Sequence, residues 1–161
     1  MKNIFIIAAL LSNCSGEKVT NFYKVKISNE HFASKLNEFI IQNKLDDKKS
    51  IVRVVFLETV SHQYMYVSPS HFKPNYKYFE PEGWLISNNV LVLVCQNGNF
   101  YQRSDFVKQE IDREIKTLSI KLAEPGATIV EPDGTRYSYC IKSKKIEVDN
   151  VFDKLPDDEC H

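Results

Sequence analysis

The sequence predicts an α+β domain, a two-layer sandwich in which a mostly antiparallel sheet carries two helices on one face. Two segments, residues 29–42 and 105–124, repeat apolar side chains with the period of an amphipathic helix. Two others, residues 51–57 and 90–95, are apolar on both faces and rich in β-branched side chains, which is typical of buried strands. Two amphipathic helices need an apolar sheet surface to cover, and one helical layer on one sheet provides it.

Strand patterns recur along the chain as short alternating or β-branched runs bounded by turn residues. They cover residues 21–27, 51–57, 62–67, 84–86, 90–95, 128–131, 135–141 and 146–148. A tight turn near Val60-Ser61 predicts that the second and third strands are antiparallel. Pro132-Asp133-Gly134 predicts a hairpin turn, because Pro presets φ and Gly supplies a positive φ. Residues 68–83 form a long loop that contains three prolines, and loops of this length are often functional.

Each helix has a cap and an apolar stripe in the sequence. Ser28 or Asn29 caps the first helix, and Ser104 or Asp105 caps the second. Pro125-Gly126 is expected to end the second helix. The apolar stripes are Phe32, Leu36, Phe39 and Ile40 in the first helix, and Val107, Ile111, Ile115, Leu118 and Leu122 in the second.

Residues 1–13 have the order of a secretory signal peptide. Lys2 precedes an apolar run over Ile4–Leu11, and small and polar residues follow. As a helix, that run would span about 12 Å. A membrane-spanning helix needs about 20 residues, so the run is too short to be a permanent span.

The four residues Leu11-Ser12-Asn13-Cys14 resemble the lipobox of bacterial lipoproteins, although Asn13 stands where Gly, Ala or Ser is usual. The resemblance implies that the Cys14 thiol receives a diacylglycerol, that the leader is cut before it, and that the new amino terminus is acylated, with chains such as palmitate. It also implies a location in the bacterial cell envelope, anchored to a membrane and facing the periplasm or the exterior. The alternative is a cytoplasmic protein whose first strand or helix is apolar.

The expected organisation is therefore a signal peptide over residues 1–13, a lipidated tether over 14–20, a single domain over 21–152 and a flexible acidic tail over 153–161. Lys and Arg together number 21, as do Asp and Glu. Nucleic-acid binding needs a basic surplus, so no nucleic-acid partner is expected. The expected partners are the membrane, through the lipid on Cys14, and another protein.

The four cysteines are not spaced as a metal or redox motif. With Cys14 lipidated, an odd number remains, namely Cys95, Cys140 and Cys160. A disulfide between Cys95 and Cys140 is permitted outside the cytoplasm. The alternative is that both are buried thiols that act as small hydrophobic side chains.

The stretch from residue 62 to residue 84 contains the candidate binding residues, because Tyr and Trp supply rigid amphipathic area at interfaces. The alternative is that these aromatic side chains pin a long loop onto the core. The candidates are His62, Tyr64, Tyr66, His71, Tyr76, Tyr78 and Trp84.

No catalytic or metal-binding signature occurs in the sequence, and no cofactor is expected. The function favoured is an envelope-anchored lipoprotein that acts as a non-enzymatic binding module for a protein or other macromolecule. An immunity-type protein that neutralises a toxin is one version, and an accessory subunit of a surface assembly is another reading. The alternative is a small envelope hydrolase with a site near His62 and His71, bordered by Glu58.

Overall fold

The computed structural model describes residues 23–73, 81, 83–96, 105–129 and 133–149. The predicted leader, the lipidation site Cys14, Tyr76, Tyr78 and the acidic tail lie outside the described residues. Among those described, no helix is both long enough and apolar enough to span a membrane.

Two helices and one sheet make up the described part of the chain. The helices are α1 (Glu30–Gln42) and α2 (Asp105–Thr117). The strands are β1 (Tyr23–Lys24), β2 (Ile51–Glu58), β3 (His62–Ser70), β4 (Gly83–Ser87), β5 (Val90–Gln96), β6 (Thr135–Cys140) and β7 (Ile146–Asp149).

The strands form a seven-stranded sheet within the described residues, in the order β1-β4-β5-β2-β3-β6-β7. The pairs β1–β4 and β2–β5 are parallel, and the other pairs are antiparallel. The predicted α+β class with a mostly antiparallel sheet is therefore confirmed.

The two helices pack against different faces of this sheet, and this corrects the expectation that both lie on one face. The α1 side chains share a core cluster with Val52 of β2 and Val92 of β5. The α2 side chains share another cluster with Ile51 and Leu91, the neighbours of those residues in the same strands. Successive strand residues point to opposite faces, so the layers are helix, sheet, helix. The physical reason is that β2 and β5 are apolar on both faces, and each face needs a cover.

The first core cluster centres on Phe32 of α1, which is fully buried. Its ring centroid lies 6.0 Å from that of Phe56 in β2 and 6.2 Å from that of Tyr139 in β6. Asn29 caps the helix, because its side chain accepts hydrogen bonds from the N–H groups of His31 and Phe32. Of the two predicted caps, the structure selects Asn29.

The connections between strands include a hairpin turn, between β4 and β5, and one departure from the prediction, before β6. β4 and β5 are joined by Asn88-Asn89, whose φ angles of 47° and 64° fit a type I′ hairpin turn. The strand predicted over residues 128–131 is absent at 128–129, and residues 130–132, which include the first residue of the predicted turn, lie outside the described residues. β6 instead pairs with β3 and β7.

We expect the substitution Phe32→Ala to lower the free energy of unfolding by about 3–5 kcal/mol, because it leaves a cavity at a fully buried site. The matched control is Ile41→Ala on the same helix, whose side chain is 64% exposed. It should change stability by no more than about 0.5 kcal/mol. Urea unfolding followed by circular dichroism measures both. Equal losses in the two variants would contradict this assignment of the core.

Tyr137 of β6 makes stability depend on pH in the alkaline range. Its burial, and to a lesser degree the nearby carboxylate of Glu38, raise the pKa of Tyr137 above the usual 10.0. The folded state therefore holds the phenol proton more tightly than the unfolded state does. This difference stabilises the folded state in full at pH values below the pKa that Tyr137 has in the unfolded state. The stabilisation is lost as the pH rises through the pKa that Tyr137 has in the folded state.

We therefore expect Tyr137→Phe to lose less stability than the native chain when the pH is raised from about 8 to about 10.5. The two proteins differ only in this phenol, so the difference between their two slopes isolates Tyr137. Urea unfolding at a series of pH values gives those slopes. Parallel stability profiles would show that Tyr137 does not carry the effect.

Candidate functional site

Both helices end at the same end of the sheet, where β2 begins and β3 finishes. The segment after α2 crosses this end and contacts the segment between α1 and β2. The N–H of Lys121 donates to the carbonyl of Lys48 at 2.6 Å, and the N–H of Ala123 donates to the carbonyl of His71 at 2.7 Å. Three segments that are distant in sequence are therefore held side by side by backbone hydrogen bonds.

Each helix ends in a Schellman motif whose left-handed residue is not glycine. Lys44 takes this position after α1 with a φ of 51°, and the N–H of Leu45 donates back to the carbonyl of Ile40 at 3.2 Å. Ser119 takes it after α2 with a φ of 57°, and the N–H of Ile120 closes that motif. A left-handed conformation costs a residue with a Cβ atom roughly 1–2 kcal/mol.

An open cleft of about 430 Å³ lies between these segments. Basic and apolar side chains make up most of its lining, together with Asn43 and the acidic residue Asp46. We call it the lysine cleft and define it by Lys44, Leu45, Lys49, His71, Lys121 and Ile129. Its volume falls in the range of small-ligand and side-chain binding pockets, which is about 300–1,000 Å³.

The charge at the lysine cleft is only partly balanced by neighbouring carboxylates. Asp46 lies 3.7 Å from the Nζ atom of Lys49, and Asp47 lies 3.5 Å from that of Lys48. Lys44 and Lys121 make no ion pair within the described residues. The cleft therefore presents an excess of positive charge to solvent.

Part of this lysine cluster has a structural role. The Nζ atom of Lys48 donates to the carbonyl of Leu118 at 3.0 Å, just past α2. A cation beside the last carbonyls of a helix is favourable, because it interacts with the negative end of the helix dipole. The side chain of Lys48 therefore has a structural role as a cap of α2. This hydrogen bond does not involve Lys44 or Lys121, so it gives no structural role to their side chains.

His71 holds one side of the lysine cleft in place. Its Nδ1 atom lies 3.1 Å from the carbonyl oxygen of Lys49 and 3.1 Å from the hydroxyl of Ser50. A carbonyl only accepts hydrogen bonds, so Nδ1 carries the proton in this arrangement. The imidazole thus joins the end of β3 to the segment that precedes β2.

Three predicted binding residues, His62, Tyr64 and Tyr66, lie on one face of β3, as strand alternation predicted. However, the side chains of His62 and Tyr64 are only 8% and 2% exposed. Their rings stack with centroids 5.6 Å apart, and Ser61 Oγ lies 2.9 Å from Nδ1 of His62. Tyr66 is half-buried. Burial makes His62 and Tyr64 part of the interior rather than a surface that a partner could reach.

Trp84 lies apart from these residues in β4, which is separated from β3 by β5 and β2. It is half-buried and packs against the cluster beneath α2. The Nζ atom of Lys24 lies 5.5 Å from the centroid of its ring, a cation–π contact. The aromatic residues of the described chain therefore do not converge on one recognition surface.

The two histidines proposed for a hydrolase are not brought together. His62 begins β3 and His71 follows its last residue, so the nine-residue strand separates them. That separation is about 30 Å, since a strand rises ~3.3 Å per residue. Glu58 pairs with Gln63 in the sheet, so its side chain points to the face opposite that of His62. This geometry gives no support to a shared site.

Cys95 and Cys140 are neither bonded to each other nor both free thiols, so neither of the two interpretations of this pair holds. Cys140 is disulfide-bonded, whereas Cys95 is a buried thiol. They lie in β5 and β6, which are separated by β2 and β3. Three strand spacings amount to about 14 Å, whereas a disulfide needs Cα atoms within roughly 7 Å. The residue bonded to Cys140 lies outside the described residues.

The lysine cleft was missed by reasoning from sequence. Residues 43–50 are rich in both Lys and Asp, a composition that predicts only a loop after the first helix. Nothing in the sequence connects Lys44 with Lys121, because the contact depends on how the segment after α2 crosses the sheet. Within the described ranges, no group of three or more His, Cys, Asp or Glu side chains is placed to hold a metal ion.

Comparison with known proteins leaves the family of the chain open. No protein-family model matches it, and no match was found among curated proteins or among solved structures.

Proposed function

We propose that this chain is a lipoprotein of the bacterial envelope, anchored through Cys14, whose domain is a non-enzymatic binding module. The observation that carries the binding function is the lysine cleft, an open cavity lined mainly by basic and apolar side chains. Ligand sites combine these features: apolar contacts supply affinity, and a few polar groups supply orientation.

The leader and the disulfide support the location. An apolar run, small and polar residues and a cysteine occur in the order of a lipoprotein leader. Cys140 is disulfide-bonded, and disulfides persist mainly outside the cytoplasm. A single acyl chain holds a protein to a membrane only marginally, whereas two or more give stable anchoring. Lipidation at Cys14 with an acylated amino terminus supplies more than one.

A binding role is favoured over hydrolysis by the positions of the titratable groups. A hydrolase at His62 and His71 would need both imidazoles at one pocket, and they lie at opposite ends of β3. His71 does reach the lysine cleft, but its Nδ1 atom contacts the backbone of Lys49. In that position the imidazole supports the wall of a binding site.

We expect Cys14→Ser, expressed in the native host, to move the protein from the membrane fraction to the soluble fraction or to leave it unprocessed. The physical reason is that the substitution removes the thiol that carries the lipid. Fractionation, together with incorporation of an alkyne-tagged palmitate, measures both effects. The matched control is Cys95→Ser, which alters a buried thiol and should leave fractionation and labelling unchanged. Palmitate label on the Cys14→Ser chain would contradict lipidation at Cys14.

We expect Cys160 to be the disulfide partner of Cys140. Cys95 is a thiol, and a lipidated Cys14 has no sulfur available for a disulfide. Peptide mapping of the unreduced protein by mass spectrometry identifies the bonded pair. Cys95 serves as the internal control, because it should be alkylated after unfolding without a reductant. A Cys14–Cys140 bond would rule out lipidation at Cys14.

A further inference from the structure

We propose that the lysine cleft binds an acidic segment of a partner protein, with an apolar side chain of that segment inserted between Leu45 and Ile129. This inference rests on the proposed binding function and names the chemistry of the partner. It depends on two observations: the distribution of charge around the cleft, and the apolar side chains that line it.

The distribution of charge favours an extended acidic ligand. Lys44 and Lys49 come from the segment after α1, and Lys121 comes from the segment after α2. Positive charge therefore lies on both sides of the cleft. Asp46 offsets only Lys49, at 3.7 Å. A chain with two or more carboxylates could pair with both sides at once, whereas a single small anion could not.

The apolar lining favours a peptide over an inorganic anion. Leu45 and Ala123 are half-buried, and Ile129 is exposed, although all three line the cleft. Leaving apolar surface in water costs free energy, at ~25 cal/mol per Å². A leucine or phenylalanine side chain of a partner would cover this surface while its neighbouring carboxylates meet the lysines.

The backbone at Lys44 allows its side chain to be tested separately from the fold. Its φ of 51° is a conformation that glycine adopts without penalty and that lysine does not. Glycine is the usual residue at this position of a Schellman motif. A glycine at position 44 therefore removes the lysine side chain without straining the backbone.

The test uses an array of hexapeptides that carry one leucine or phenylalanine among glutamates, with matched glutamine and lysine versions. The full chain, as its host produces it, is purified in a neutral detergent, and affinities for the best peptides are measured by fluorescence anisotropy. We expect acidic peptides to bind, and the matched glutamine and lysine versions to bind at least about tenfold more weakly. Raising the salt concentration from about 0.05 M to about 0.5 M should weaken binding. Equal binding of the acidic and glutamine versions, or no binding of any acidic peptide, would overturn the inference.

Charge-reversal variants locate the site. The double substitution Lys44→Glu with Lys121→Glu should weaken peptide binding about tenfold or more. The matched control, Lys142→Glu with Lys145→Glu, makes the same change in net charge on exposed lysines near the turn between β6 and β7. It should change the affinity less than about twofold. Equal effects of the two double variants would show attraction by net charge alone and would refute the site.

The variant Lys44→Gly separates binding from folding. It relieves the left-handed strain, so its melting temperature should rise, while its affinity for acidic peptides should fall. A drop in both would mean that Lys44 acts through the fold, which contradicts the proposed role.

A lipid competitor tests whether the cleft binds an anionic lipid headgroup and not an acidic protein segment. Monomeric dihexanoylphosphatidylglycerol should not displace the bound peptide. Displacement that is abolished by the Lys44→Glu and Lys121→Glu substitutions would assign the cleft to lipid headgroups and overturn the inference. A native partner that still binds that double variant would also overturn it, while leaving the proposed binding function intact.

Discussion

The parallel pairing of β2 with β5 at the centre of the sheet is the constraint on which the rest of the structure depends. Both strands are apolar on both faces, so a helix on one side alone would leave Ile51, Leu91 and Leu93 in water. α1 covers one face and α2 covers the other. Because both helices end where β2 begins, the segments that follow them meet there, and the lysine cleft is the space between them.

The Schellman motif at the end of α1 places Lys44 at the lysine cleft, and α2 ends in the same kind of motif. In each case the apolar residue after the motif packs into the core: Leu45 against the first cluster and Ile120 within the second. That packing holds the preceding residue in a left-handed conformation although neither Lys44 nor Ser119 is a glycine. The core therefore stabilises a strained lysine at the rim of a cleft. If the lysine cleft binds the acidic segment that we propose, stability and binding make opposite demands on position 44, since glycine would suit the backbone and lysine would suit that partner.

The buried face of β3 shows why aromatic content alone does not identify a recognition surface. Tyr64 and His62 alternate onto one face as the sequence predicted, but that face is covered. Tyrosine is equally suited to an interface and to a core that offers its hydroxyl a partner, because it has an apolar body and a polar tip. Burial decides between these roles, and burial depends on segments from elsewhere in the chain.

Local patterns in the sequence determined the elements of the fold. Apolar spacing located α1 and α2, although α2 ends at Thr117 and not at the predicted Pro125-Gly126. Runs of β-branched residues located β2 and β5, and alternation placed His62 and Tyr64 on one side of β3. These features depend on residues within a few positions of one another, so one sequence contains the necessary information. The leader is equally local, and for that reason an anchor at Cys14 is proposed from the sequence alone.

Only the tertiary structure decided which sheet face each helix covers, that Cys95 and Cys140 are not joined, and that Lys44 lies at the same cleft as Lys121. Each of these depends on residues that are distant in the chain and are brought together by strand order and core packing. Both faces of β2 carry large apolar side chains, so its pattern does not specify which helix covers which face. The spacing between strands, rather than the spacing along the chain, excludes a disulfide between Cys95 and Cys140.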